Sequence, residues 1–112
     1  MFERGRIVLV PFPFTDLRSQ KVRPAVIVSL GRSPQNDVVV AFVSSVISKS
    51  PQIVPVPKTH PAFKTTGLKV SSVIRCDKLA TLDCRIVLGE IGTLPTPLRR
   101  QMDSCLRRAL GL

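Results

Sequence analysis

The chain opens on short β-branched runs separated by proline and glycine. Residues 5–10, GRIVLV, predict a first strand, and the PFPF that follows ends it, because two prolines withdraw ladder donors and stiffen the backbone. Residues 15–20 read as a loop. A second strand is predicted over residues 25–29, AVIVS, and Pro24 just ahead of it forbids helix and holds Arg23 extended, so the guanidinium projects from the strand entrance. Residues 31–36 are rich in turn formers. Residues 38–43, VVVAFV, are apolar at every position, which predicts a central strand buried on both faces. Residues 52–56 lie among prolines and suit an edge strand. Residues 65–69 read as a loop, and residues 72–75 and 85–91 as two further strands.

From Thr96 the period changes. Leu98, Met102, Cys105, Leu106, Ala109 and Leu110 recur at three- and four-residue steps, Thr96 is placed to cap, Pro97 suits the first helical position and Gly111 a stop. One amphipathic helix therefore follows the strands. Short strands at close spacing with a helix over one opening predict a mainly β (α+β) fold: a small curved antiparallel sheet or partly open barrel.

At 112 residues and 44% hydrophobic, the chain is the size of one domain with a core of its own. Charge sharpens the picture. Seventeen Lys and Arg against seven Asp and Glu give a net charge of +10, and eleven of the cations are Arg, whose planar fork grips phosphate. A polyanion is the leading partner class. The cations are dispersed without a block, as on a folded basic surface. No run approaches the roughly 20 apolar residues that cross a bilayer, and no signal-peptide pattern opens the chain, so a cytoplasmic location is expected. Cys76, Cys84 and Cys105 are odd in number without close pairing, and His60 is the single histidine. Reduced, structural cysteines and no metal site or other cofactor are expected, with Cys76 facing the core.

The polar residues at predicted strand ends are Arg23, then Ser44 and Ser45, then Arg75 and Asp77 around Cys76. Three strand ends are placed to converge on one patch. In that order "GRIVLVPFPFTD", "KVRPAVIVS", "VVVAFVSS" and "GLKVSSVIRCDKLATLD", up to the helix entry "IGTLPTPLRRQM", resemble the MazF/PemK family of toxin endoribonucleases. The Arg-Cys-Asp after a strand, followed by Thr-Leu-Asp, is the most specific of these. The resemblance implies an SH3-like barrel of the MazF/PemK type and a homodimer whose groove takes single-stranded RNA. It further implies a cognate antitoxin with an acidic disordered tail, and metal-independent cleavage by 2′-hydroxyl attack on the adjacent phosphate. It places the catalytic set on Arg23, Ser44, Arg75 and Asp77, and RNA contacts are expected at Phe14, Thr15, Lys21, Ser45 and Lys69. The same fold class also holds a contact inhibitor of DNA gyrase, and charge alone would serve a non-catalytic nucleic-acid-binding module.

The chemistry of such a site follows from its residue types. Internal attack needs phosphorane charge neutralised and the 2′-oxygen activated, and a bound RNA carries its own nucleophile. Arg23 offers a bidentate clamp, Ser44 a neutral donor, and Asp77 a carboxylate suited to act as base. Arginine, with a pKa above about 12, suits charge stabilisation better than proton donation. Arg75 and Asp77, two apart on a strand, share a face, and a structural ion pair has the same spacing. Thr81 and Asp83 are expected to order a turn, Phe12 and Phe14 to stack bases or fill the core, and His60 to lie in an exposed loop. Arg6 stands where the family usually carries an acidic residue, and the loop after the first strand has no histidine.

Overall fold

The computed structural model describes residues 2–12, 21–31 and 35–112. Phe14, Thr15, the loop 15–20 and the centre of the turn 31–36 lie outside the described residues. Six antiparallel strands, β1 (Arg6–Phe12), β2 (Lys21–Ile27), β3 (Asp37–Ser44), β4 (Ile53–Val56), β5 (Ser72–Asp83) and β6 (Gly89–Thr93), form one sheet in the order β4-β5-β3-β2-β1-β6, and helix α1 spans Thr96–Leu110. The all-apolar run 38–43 is central and 53–56 is an edge, as its pattern requires.

Alternation along the strands sends side chains to two cores. Ile7, Val26, Ala41, Val43 and Ile74 meet Leu98, Met102, Cys105 and Leu106 of α1, while Val8, Val10, Ala25, Ile27, Val40 and Phe42 point to the other face. That second face is closed by the curl of the sheet, which brings Leu82 over it with Phe2, Cys84 and Val87 against the rim. Both faces of β3 are thereby dry from Val40 to Val43, while Val39 stays half-exposed. Each fully buried Ile or Val is worth about 1.5–3 kcal/mol against leaving it exposed, so the central strands anchor the molecule.

Several elements differ from their patterns for local reasons. The strand expected at 72–75 runs on to Asp83, carrying Thr81 into the sheet and not into a turn. The strand expected at 85–91 begins only at Gly89, because the Asp83 carboxylate accepts the Arg85 N–H (2.8 Å) and winds Cys84–Ile86 into a 3₁₀ turn. The loop expected at 65–69 overlaps a second 3₁₀ turn, Phe63–Thr66. Thr96 does not cap α1: Pro95 takes the cap position with extended backbone and no side-chain bond is made. At the other end Gly111 adopts φ +71°, and its N–H and that of Leu112 close on the last carbonyls, as the stop signal predicted. Leu110 lies outside the buried stripe and is exposed.

Candidate RNA-binding and catalytic site

Pro24 shapes the site by what it lacks. The β2–β3 ladder stops at the pair Ala25–Phe42, although β2 continues back to Lys21 along β1, with Arg23 opposite Val10 and Pro24 opposite Leu9. Without an N–H, Pro24 has no donor for β3, so it is tolerated only where that side of the strand is open. Beyond it the start of β2 and the end of β3 part. Arg23 and Ser44 face the resulting gap.

The third wall comes from an irregularity in β5. The β3–β5 register jumps from Ala41–Leu79 to Phe42–Arg75, so Cys76, Asp77 and Lys78 are extra residues against one step of β3. A bulge of this kind bends the strand and re-aims its side chains. Cys76 turns inward, its N–H donating to the Gln52 carbonyl (3.0 Å) and its thiol buried. Burial, followed by the neighbouring Cys105 thiol, pushes the Cys76 thiol up to about 12, which keeps it protonated.

Arg23, Ser44, Arg75 and Lys78 together with Phe42 and Val46 line a cavity of about 210 Å³. Arg23 makes no hydrogen bond or ion pair among the described residues, and the residue is half-buried. Ser44 accepts the Val46 N–H at Oγ (3.0 Å), which fixes the hydroxyl and leaves its O–H free to donate. Arg75 donates Nε and one Nη to the two oxygens of Asp77, each at 2.8 Å. This fork holds the Asp77 carboxyl below its usual range and raises Arg75, in both cases chiefly through the side-chain hydrogen bond.

Asp77 is thus joined to the site through Arg75 and does not line the cavity. A second hollow of about 320 Å³ adjoins the first across Arg23, with Ser45, Lys69, Leu68 and Val70 among its walls. Lys21 lines neither. Lys78, which was not singled out from the sequence, belongs with the cations of the first cavity, because the bulge breaks the strict two-residue alternation that would set it on the face opposite Arg75. Arg6, in place of the family's acidic residue, finds partners of its own in Thr93, Glu3 and Glu90. Asp83 orders the turn as expected, and His60 is half-buried, its Nδ1 accepting the Ala62 N–H. Among the described residues no three His, Cys, Asp or Glu gather as a metal site, and no helix is long and apolar enough to cross a membrane.

Three cations and a hydroxyl around one small cleft have the chemistry that suits a tetrahedral oxyanion. The family model for the PemK-like, MazF-like toxins of type II toxin–antitoxin systems matches residues 3–110. The chain belongs to this family. No curated protein sequence gives a significant match. In fold the PemK-like chain is similar to an endoribonuclease from a mycobacterial species solved with its cognate antitoxin, at TM-score 0.79 and 18% identity over 100% of this chain and 97% of that one. It is also similar to the Mycobacterium tuberculosis toxin MazF-mt6, at TM-score 0.74 and 22% identity over 96% and 97% of the two chains. A MazE–MazF complex from Deinococcus radiodurans gives TM-score 0.76 and 22% identity over 98% and 96%. The curled sheet with one C-terminal helix is therefore the MazF-type fold.

Proposed function

We propose that this PemK-like toxin is an endoribonuclease that cuts single-stranded RNA without a metal ion. The observation that carries this reading is the convergence of Arg23, Ser44 and Arg75, from three adjacent strands, on one cleft with Lys78. In the reaction the ribose 2′-oxygen bonds to phosphorus as its proton passes to solvent water, the P–O5′ bond breaks, and the 5′-oxygen takes a proton from water to leave as a hydroxyl. The products are a 2′,3′-cyclic phosphate and a 5′-hydroxyl end. Arg23 and Arg75 neutralise the charge that grows on the phosphoryl oxygens, and Ser44 donates to one of them.

Asp77 acts differently from the free base that its chemistry suggested. With both oxygens engaged by Arg75 and its pKa lowered, it is a weak proton acceptor, and its role is to hold the Arg75 fork toward the cleft. The toxin is further proposed to work as a homodimer, since one small sheet offers a shallow groove, and to be blocked by an antitoxin with an acidic disordered tail that competes for the cationic cleft.

The test is labelled RNA incubated with the protein in excess chelator. Cleavage leaving cyclic phosphate ends supports the reading, and strict dependence on added Mg²⁺ or Zn²⁺ overturns the mechanism. Binding without cleavage assigns the fold to a non-catalytic module. Within that assay Arg23→Ala is expected to lower the single-turnover rate about 10²- to 10³-fold, and Lys21→Ala, outside the cleft, to act only modestly on affinity.

A further inference from the structure

A third hollow, of about 570 Å³, lies beyond the cleft, with Lys58, His60 and Lys64 on its walls. It shares Leu68 and Lys69 with the second hollow, as the second shares Arg23 and Val43 with the first. The three form a continuous path over one face. Apart from Leu9, Arg23, Pro24, Lys78 and Ile91, its walls come from the stretch between Asp37 and Asp77, which has no Asp or Glu and in which every ionic side chain is a cation.

The far end of this path is a built surface. In the segment 57–71, Lys58 N–H donates to Ser71 Oγ (2.8 Å), His60 N–H to the Pro57 carbonyl (2.9 Å) and Ala62 N–H to His60 Nδ1 (3.1 Å). Buried Thr66 donates to the Phe63 carbonyl (2.6 Å) and accepts the Leu68 N–H (3.1 Å). Gly67, at φ +72°, and Gly92 let the segment lie backbone to backbone on β6; a Cβ on Gly67 would strike the Ile91 carbonyl and one on Gly92 the Thr66 carbonyl. Phe63 is buried beneath. Lys58, Lys64 and Lys69 stay exposed above this frame, and the Nδ1 bond leaves His60 Nε2 as the ring atom free for a ligand.

We propose that the segment 57–70 is a distal RNA subsite: a strand whose cut phosphate sits at Arg23 and Arg75 crosses the slot walled by Leu68 and Val70 and lays its next phosphates on Lys69, Lys64 and Lys58. The inference rests on the ribonuclease reading for the placing of the cut phosphate. The slot suits a nucleobase, whose apolar face is drawn from water by aliphatic walls while the strand's backbone follows the cations. A fixed frame holds the backbone that bears the lysines in place before RNA arrives, so less conformational freedom is lost on binding.

The experiment measures binding, so that it does not depend on cutting. Two 2′-O-methyl oligoribonucleotides, which lack the nucleophile, are titrated against the wild type and K58Q/K64Q: a tetranucleotide, and a mixed-sequence strand of about ten nucleotides. R107Q, which removes a cation from α1, is the control for net charge. The double variant is expected to weaken the longer strand about five- to tenfold at low salt and to flatten its salt slope by about one unit, with the tetranucleotide shifted far less. Equal losses for both lengths, or the same loss in R107Q, would show a general charge effect and overturn the subsite. Loss of affinity for an acidic peptide with the longer strand unaffected would give the surface to a protein partner and equally overturn it. If the 2′-O-methyl strands bind with the expected length dependence but the unmodified strand of the same sequence is never cut, the ribonuclease reading fails while the subsite stands.

Discussion

Strand β5 carries the same chemistry twice, in opposite order. Arg75-Cys76-Asp77 lies in its bulge and Asp83-Cys84-Arg85 at its end, and each triplet closes a two-pronged Arg–Asp pair with a 2.8 Å contact. Their surroundings separate them. Arg75 is about a third exposed and lines the cleft beside Arg23 and Ser44, whereas the Arg85 side chain is 84% exposed and its partner Asp83 spends one oxygen on capping the 3₁₀ turn. An ion pair at this spacing is thus no sign of function by itself; the bulge that turns one of them into a cation-lined cavity is what distinguishes it.

The largest effect that can break this contrast is on cleavage. Arg75→Ala is expected to lower the single-turnover rate about 10²- to 10³-fold and Arg85→Ala to leave it unchanged. Equal losses would mean that the two pairs serve the same structural end.

Asp77→Asn is expected to lower kcat about tenfold with little change in KM, because an Arg75 that is no longer held loses transition-state alignment more than ground-state binding. Asp83→Asn is expected to spare kcat and lower the melting temperature slightly through the loss of its ion pair with Arg85, since asparagine still caps the turn. If Asp77 were instead the proton acceptor, Asp77→Asn would lose as much rate as Arg75→Ala, and not about tenfold.

Acid sharpens the comparison in stability. Arg85 holds the Asp83 carboxyl down to about 2, well below the usual value of about 3.9 for an unfolded chain. A depressed folded pKa stabilises above the unfolded value and loses that contribution as pH falls through the folded one. Urea midpoints are therefore expected to drop between about pH 4 and pH 2, and less steeply in Asp83→Asn.

The smallest contrast is between the cysteines. Cys76 is buried with its thiol pushed up to about 12, while Cys84 is partly exposed, so an aromatic disulfide reagent at neutral pH is expected to label Cys84 well before Cys76, as read by mass spectrometry of the peptides. Equal labelling would mean that the bulge opens readily.

Much of this architecture is legible in local pattern. The run VVVAFV declares a strand dry on both faces, prolines around 52–56 declare an edge, and the period from Leu98 to Leu106 declares the helix, because burial repeats every two or every 3.6 residues and needs no knowledge of what it is buried against. Pro24 likewise holds Arg23 extended from sequence alone, but β2 reaches back to Lys21, so Arg23 lies within the strand opposite Val10 and not at its entrance. Motif order brought Ser44 and Arg75 into consideration as well. What local pattern does not carry is register. The three residues inserted opposite one step of β3 depend on how β5 meets both β3 and β4, and they are what bring Lys78 to the cleft and turn Asp77 onto Arg75. The parting of β2 from β3 beyond Ala25 and the seating of Gly67 on β6 are decided in the same way, by contacts between segments far apart in the chain. The sequence determined which residues are strand, helix and cation; only the tertiary structure decided which cations share a cavity, since that follows from pairing and curvature, to which any single segment contributes one side.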